Sequence, residues 1–510
     1  MIRQAAFSPA VALAIVLSSA VPLAAQTRPL PRECAQPAGS VALARFGRVE
    51  GELRAATAIR GVIAQPMRLD ERMRYYHVPG VSIALIDGFH VVVACGYGSR
   101  ATDSAGTLQS RQVTPATLFQ AASVSKSVAA LAPLELVQDG RLSLDTDVNQ
   151  WLTTWKIPDN EFTRQHPVTL RTLLSHGAGI TVHGFGGYAA GAPVPSLVQV
   201  LNGLPPANSE PIRVDKTPGG AWRYSGGGYT VLQQLLIDVT GMPFPQLMRD
   251  RVLRPLGMTR SAYDQPLPTR DTAIAASGYR ADGTMVPGRY HTHPELAAAG
   301  LWTNPSDLAR FVIAIEQAAL GRPHSILSTP LAHEMLTPQT GDYGLGVAVA
   351  GAGRTLHFSH SGANEGFRAY YVGFPATGQG VVVMTNSDAG GELYQEIVRG
   401  IAIEYGWPAL KPVEREEAPT AAEQLKFLPG HYSLSVGNAT LPLDVVARGD
   451  TLVARLTGAW AHERVLHRSG GWTYFSVEDP TELTFERDAA GQVTGATVRA
   501  SGQVLHARRQ

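Results

Sequence analysis

The stretch Leu118-Phe-Gln-Ala-Ala-Ser123-Val-Ser-Lys126-Ser-Val-Ala-Ala-Leu-Ala-Pro-Leu-Glu-Leu-Val137 decides how this chain is read. Its apolar residues recur at helical spacing and Asp139-Gly140 supplies a stop, so the pattern predicts one long, largely buried helix with Ser123 and Lys126 in its first turns. Three residues apart on a helix, a hydroxyl and an amine share one face and lie within mutual reach. A serine hydroxyl is a poor nucleophile until a neighbour takes its proton. A lysine can do so when burial holds it neutral, and the positive potential of a helix N-terminus favours negative charge developing on Ser123. Ser-x-x-Lys by itself is short and also occurs on solvated helix faces. Here Ala121-Ala122 and Val128-Ala129-Ala130-Leu131 leave Lys126 no polar face to occupy.

Two further motifs follow in chain order. In Arg223-Tyr224-Ser-Gly-Gly-Gly-Tyr229 a tyrosine precedes a flexible turn into a helix that begins near Tyr229. A phenol or phenolate aimed at Ser123 would accept its proton and later give it to the leaving group. In Phe358-Ser-His360-Ser361-Gly362, on a strand-like run, an edge strand would supply a backbone N–H to a substrate carbonyl oxygen, with His360 and the Ser361 hydroxyl toward a carboxylate or leaving group.

Taken together, Ser-x-x-Lys, Tyr-Ser-Gly and His-Ser-Gly resemble the serine β-lactamase, D-alanyl-D-alanine carboxypeptidase, D-aminopeptidase and esterase family, in its class C branch. The likeness covers most of residues 55 to 410 and takes in Val78-Pro-Gly-Val-Ser82, Leu173-Leu-Ser-His176-Gly, Val252-Leu-Arg-Pro-Leu-Gly-Met258 and Ala298-Ala-Gly300-Leu-Trp. The resemblance implies an α+β fold, an antiparallel sheet flanked by helices with a helical subdomain, of β-lactamase/transpeptidase type. It implies Ser123 as nucleophile and Lys126 and Tyr224 as general-base pair. His360, Ser361 and Gly362 would form the substrate strand, and the N–H groups of Ser123 and Ala363 the oxyanion hole. The implied course is acylation of Ser123, departure of an amine or alcohol, and hydrolysis, with no metal or organic cofactor. Two departures stand out. Gly226 replaces the Asn that many members carry two residues after the tyrosine, which weighs against an efficient β-lactamase. His360 replaces the strand lysine, a D-peptidase-like pattern that, with Ser361 retained, mildly favours a substrate with a carboxylate or peptide group. Arg368 is a further candidate for that carboxylate, although it also reads as an ordinary exposed strand arginine.

The 510 residues are 44% hydrophobic and 17% charged, which suits a globular protein of two to four domains. A formal net charge of +1 without a long basic run argues against nucleic acid or an anionic membrane as main partner, and leaves a small molecule or short peptide as the expected substrate. Arg3, an apolar stretch from about Ala10 to Leu17, and Leu23-Ala24-Ala25 read as a signal peptide over 1–25, so a periplasmic or extracellular product is expected. That apolar stretch is shorter than the ~20 residues a membrane span needs. An oxidising compartment would permit Cys34 and Cys95 to pair, and two free thiols are the alternative. The sequence leaves oligomeric state open.

Residues 55–75 read as an amphipathic helix, and Val81–Ile86 with His90–Ala94 as a hairpin turning at Asp87-Gly88. Helical stretches at Tyr229–Val239 and Pro305–Ala319 alternate with Gly- and Pro-rich loops around 176–220. Strand character returns at Thr355–His360, Ala369–Phe374 and Val381–Thr385. The expected division is a hydrolase domain over 26–412, a linker over 413–424 and a small all-β domain over 425–510. The opening of the last, Phe427-Leu428-Pro-Gly-His-Tyr432, resembles a lipocalin-like domain often fused behind this family. A small apolar ligand for that domain is one competing reading, and an inert or sensing protein for a cell-wall ligand is another. An α/β-hydrolase is disfavoured, because no Gly-x-Ser-x-Gly occurs. His291-Thr-His293-Pro-Glu295 carries metal-capable side chains but no zinc-type helix spacing, so no metal is expected, and His176 and His183 read as structural or loop residues.

Overall fold

The computed structural model describes residues 32–35, 39–101, 111–436, 439–457, 462–500 and 503–510, so the expected signal peptide lies outside the described residues. The central element is a seven-stranded antiparallel sheet in the order Arg32–Cys34, His90–Gly98, Gly80–Asp87, Gln379–Thr385, Phe367–Phe374, His357–Asn364, Ala348–Ala350. The hairpin turning at Asp87-Gly88 thus joins the three C-terminal strand signals in one sheet. Central strands buried on both faces read as continuous apolar runs. In Gln379–Thr385, Val381 and Val383 face one core while Val382 and Met384 face the other. In Gly80–Asp87, Val81, Ile83 and Leu85 divide from Ala84 and Ile86 in the same way.

Helices Ser40–Gly51, Leu69–Tyr75 and Gly390–Glu404 cover one face. On the other lie Pro305–Ala319 and a helical subdomain built around Leu131–Gln138 and Gly226–Thr240. The helix Pro305–Ala319 begins where its sequence says it should: Asn304 caps the Asp307 N–H at 2.9 Å and Pro305 takes the first turn. Cys34 and Cys95 form a disulfide, fastening Arg32–Cys34 to its neighbouring strand.

Two expectations differ from the structure. The helix expected from Leu118 begins only at Val124 and breaks into Val124–Ala129 and Leu131–Gln138; Phe119–Gln120 is a short strand paired with Trp302–Thr303. Of residues 55–75 only Leu69–Tyr75 is helical, because Thr57–Ile59 pairs in parallel with Val413–Arg415 and a turn follows at Gly61.

Eight strands between Gly430 and Arg509 close into an antiparallel barrel. Tyr432, Leu443, Leu466, Tyr474, Leu483 and Phe485 pack inside it. Arg464, its side chain wholly buried, binds it to the rest of the chain, reaching Glu392 on Gly390–Glu404 at 2.5 Å as well as Glu478 and Asp479 on its own side. Beside it the His462 ring packs 3.9 Å from that of Tyr75 and hydrogen-bonds the Tyr75 carbonyl at 2.6 Å. No helix among the described residues is long and apolar enough to cross a membrane. Removing one partner of a buried ion pair strands the others, so Arg464→Met is expected to weaken barrel docking by about 3–5 kcal/mol. Calorimetry would show this as a barrel transition separating from that of the remaining fold, and an unchanged thermogram would refute it.

Candidate active site

Ser123 occupies the N-cap of Val124–Ala129, where a serine normally caps its own helix. It makes no such bond. Its Oγ lies 3.0 Å from Lys126 Nζ, one turn on, and shares a hydrogen bond with the Tyr224 hydroxyl. Ala122 just before it has φ +49°, a left-handed conformation that costs a side-chain-bearing residue about 1–2 kcal/mol. This kink turns the chain from the strand Phe119–Gln120 into the helix and puts Ser123 at its tip.

Lys126 is buried, at 2% exposure, and its amine also donates to the Ala298 carbonyl at 2.8 Å. The nearest rings are Tyr224, 4.9 Å from the amine, and Tyr229, 5.8 Å from it. Desolvation lowers its pKa to about 7, so a large fraction is neutral at neutral pH. Burial has the opposite effect on Tyr224 and pushes its pKa up, keeping it a phenol. A neutral amine and a protonated phenol, both on one serine oxygen, are a base and an acid already in the right forms.

The strand His357–Asn364 is paired by Ala348–Ala350 only as far as Ser359, which leaves the edge of residues 360–364 open. Alternation puts Phe358, His360, Gly362 and Asn364 on the face toward Ser123, and Ser359, Ser361 and Ala363 on the other. A Cβ on Gly362 would stand 2.2 Å from the Ala121 carbonyl oxygen, so only glycine lets the strand come this close to the segment that carries Ser123. The Ser361 hydroxyl bonds Tyr394 on the far face, and Ala363 is exposed. His360 Nδ1 donates to the Ser361 carbonyl at 2.6 Å, and burial holds the ring neutral with a pKa lowered to about 3.

Sequence reasoning missed three residues here. The His176 ring stacks 4.3 Å from Tyr224, its Nδ1 accepts the Ser225 N–H at 3.1 Å, and burial pushes its pKa down. His183 lies 4.8 Å from Tyr224 on the other side, and Tyr343 packs 4.7 Å from His176. His183 and Tyr343 stand outside every motif, and His176 lies in the Leu173-Leu-Ser-His176-Gly segment, where it reads only as scaffold. Gly226 also finds its explanation. Its N–H bonds the His183 carbonyl at 3.0 Å, and a Cβ there would meet the Phe185 ring at 3.0 Å, so the 181–185 segment lies where an asparagine side chain would stand. Arg368 is ion-paired with Asp388 at 2.8 Å. His291 turns to Gly186 and Glu365, and no group of three metal-capable side chains exists among the described residues.

The profile of the Beta-lactamase family matches residues 67–404. The chain belongs to that family. PbpX of Bacillus subtilis, whose name assigns it to the penicillin-binding proteins, is 26% identical over 284 residues, covering 54% of this chain and 63% of PbpX. This chain spans about three fifths of the length of the curated relatives it matches. Among solved structures, the octameric penicillin-binding protein homologue from Pyrococcus abyssi superposes with TM-score 0.59 at 24% identity, covering 86% of this chain and 98% of that one. The D-amino acid amidase from Ochrobactrum anthropi gives 0.54 at 21% identity, covering 71% and 99%. These likenesses establish the β-lactamase/transpeptidase-like fold.

Glu295, three residues before the Lys126-binding carbonyl, is fully buried with no hydrogen-bond partner on another residue among the described residues, and burial raises its pKa to about 7. A carboxyl with a raised folded pKa contributes stability that is whole below its unfolded value near 4.5 and is lost as pH rises through 7. Glu295→Gln is therefore expected to be relatively more stable than wild type at pH 8 than at pH 5. Melting temperatures across that range check it, and parallel curves would contradict it.

Proposed function

We propose that this chain is an exported serine hydrolase acting by acyl transfer on amides or esters, with Ser123 as nucleophile, Lys126 as general base and Tyr224 as general acid. One observation carries the reading: the Ser123 hydroxyl contacts a fully buried amine whose pKa burial has lowered to about 7. Neutral Lys126 accepts the Ser123 proton as Oγ bonds to the substrate carbonyl carbon, and the carbonyl electron pair moves to oxygen. The N–H groups of Ser123 and Ala363 are assigned to that oxyanion, the first with the helix N-terminus behind it. When the bond to the leaving group breaks, Tyr224 gives its proton to the departing nitrogen or oxygen, and the Lys126 ammonium re-protonates Tyr224. Water then attacks the acyl-enzyme by the same route, returning a proton to Ser123.

The names of the proteins that match, penicillin-binding protein and D-amino acid amidase, support a D-amino-acid or peptidoglycan-like amide as one substrate class. An ester would run through the same steps. Export is supported by the leader pattern over 1–25 and by the Cys34–Cys95 disulfide, a bond that persists in oxidising compartments. A penicillin-binding sensor that acylates without turnover is the second reading; it is favoured by Gly226, which leaves Lys126 without an amide side chain to steady it.

With p-nitrophenyl acetate, kcat/KM is expected to rise tenfold per pH unit below about 7 and to level off above, as Lys126 loses its proton. A flat profile from pH 5 to 9 would remove Lys126 as base. Ser123→Ala is expected to lower kcat by about 10³-fold or more and to abolish the acetyl mass gain in intact-mass spectra. Tyr224→Phe is expected to lower kcat by about 10²-fold or more with little change in KM. A mass gain without turnover would select the sensor.

A further inference from the structure

The acyl-transfer reading leaves open what departs from Ser123, and the surroundings of His360 bear on it. This ring lies on the strand edge beside Tyr224, the group assigned to protonate the leaving group, with ring centres 6.2 Å apart, and Tyr343 stands 6.0 Å away on another side. Its Nδ1 proton goes to the Ser361 carbonyl. Nε2 therefore carries a lone pair and no proton, and among the described residues it has no hydrogen-bond partner. The titratable groups around it are Lys126, Tyr224, His176 and Tyr343, none of them a carboxylate that would draw a proton onto the ring.

Four arginines on the flanking segments, Arg368, Arg280, Arg223 and Arg289, are already engaged. Arg368 pairs with Asp388 at 2.8 Å and also donates to the Asn364 carbonyl. Arg280 holds Glu365 at 2.7 Å, and His291 lies 3.3 Å from that same carboxylate. Arg223, next to Tyr224, binds Asp215 and the Gly179 carbonyl. Arg289 is turned to the Ala275 carbonyl and the Ser277 hydroxyl. A carboxylate entering on this side would lose its hydration beside the neutral His360 ring and find no free partner among these four arginines.

We propose that this cleft takes substrates whose leaving group is uncharged, an amide or ester departing without a carboxylate, and that His360 excludes carboxylate-terminated leaving groups. The inference rests on the acyl-transfer reading above and reverses the carboxylate preference suggested by the His-Ser-Gly motif alone.

Two matched esters of N-acetyl-D-alanine test it, one with glycolamide and one with glycolate as leaving group, with Ser123→Ala as blank. The wild-type protein is expected to favour the glycolamide ester at least tenfold in kcat/KM, at a ratio constant from pH 5 to 8 because His360 stays neutral throughout. His360→Lys is expected to lower that ratio at least fivefold, and His360→Gln, which remains uncharged, to preserve it. Equal or faster turnover of the glycolate ester by wild type, or a preference for glycolamide that fades toward pH 5, overturns the inference while leaving Ser123 as nucleophile. Hydrolysis of both esters no faster than by Ser123→Ala overturns the acyl-transfer reading, and this inference with it. The wild-type ratio and its pH profile decide the matter even if the lysine variant does not fold.

Discussion

The desolvation of one amine governs the rest of the site. Lys126 sits in a core of alanine, valine and aromatic rings with the Ala298 carbonyl and Ser123 Oγ as its hydrogen-bond partners among the described residues, and without that burial it would be an ammonium unable to take a proton. The requirement reaches outward. Ala298 must present its carbonyl, which fixes the short helix Leu296–Ala299, and Ala121-Ala122 must be small enough for the site strand to lie against them at Gly362. The neutral state of His360 and His176 belongs to the same condition, since Lys126 contributes to lowering both after burial itself. A cleft whose buried histidines are held neutral beside an amine that changes charge near pH 7 is set for proton transfer.

The scaffold meets this need with two cores rather than one. The sheet separates an apolar layer under Ser40–Gly51 and Gly390–Glu404 from the larger one that contains the site. Because its central strands are buried on both faces, the open edge at residues 360–364 is held from behind by a layer that takes no part in the chemistry. The barrel is attached to that rear layer, through Arg464 and Glu392.

Much of this was legible in the sequence where local pattern and final environment agree. Pro305–Ala319 carried its cap, its proline and its apolar stripe together, and Asp87-Gly88 marked the hairpin. Ser123, Lys126, Tyr224 and Gly362 stood out as candidates because each motif places its chemistry beside a glycine or helix start, and the structure brings the four together. The start of the Ser123 helix was not legible, since Leu118-Phe-Gln-Ala-Ala is as apolar as a helix face and only its partner Trp302–Thr303 makes it a strand. Residues 55–75 failed for a similar reason: Thr57–Ile59 depends on Val413–Arg415, hundreds of positions away. His176, buried, and His183, exposed, could not be assigned because a histidine has the same one-letter signature whether it packs, lies at the surface or borders a site.

Ala122 shows where stability and activity part company. Glycine would adopt φ +49° without strain, so selection for a more stable fold alone would favour it there. The alanine Cβ would in turn lie 3.2 Å from a Cβ at residue 362, so its methyl faces the bare backbone of the site strand, next to Ser123. The strained alanine trades backbone ease for a fixed placement of Ser123 against the site strand, and a search for stabilising substitutions in this fold would select Ala122 for replacement without registering that contact.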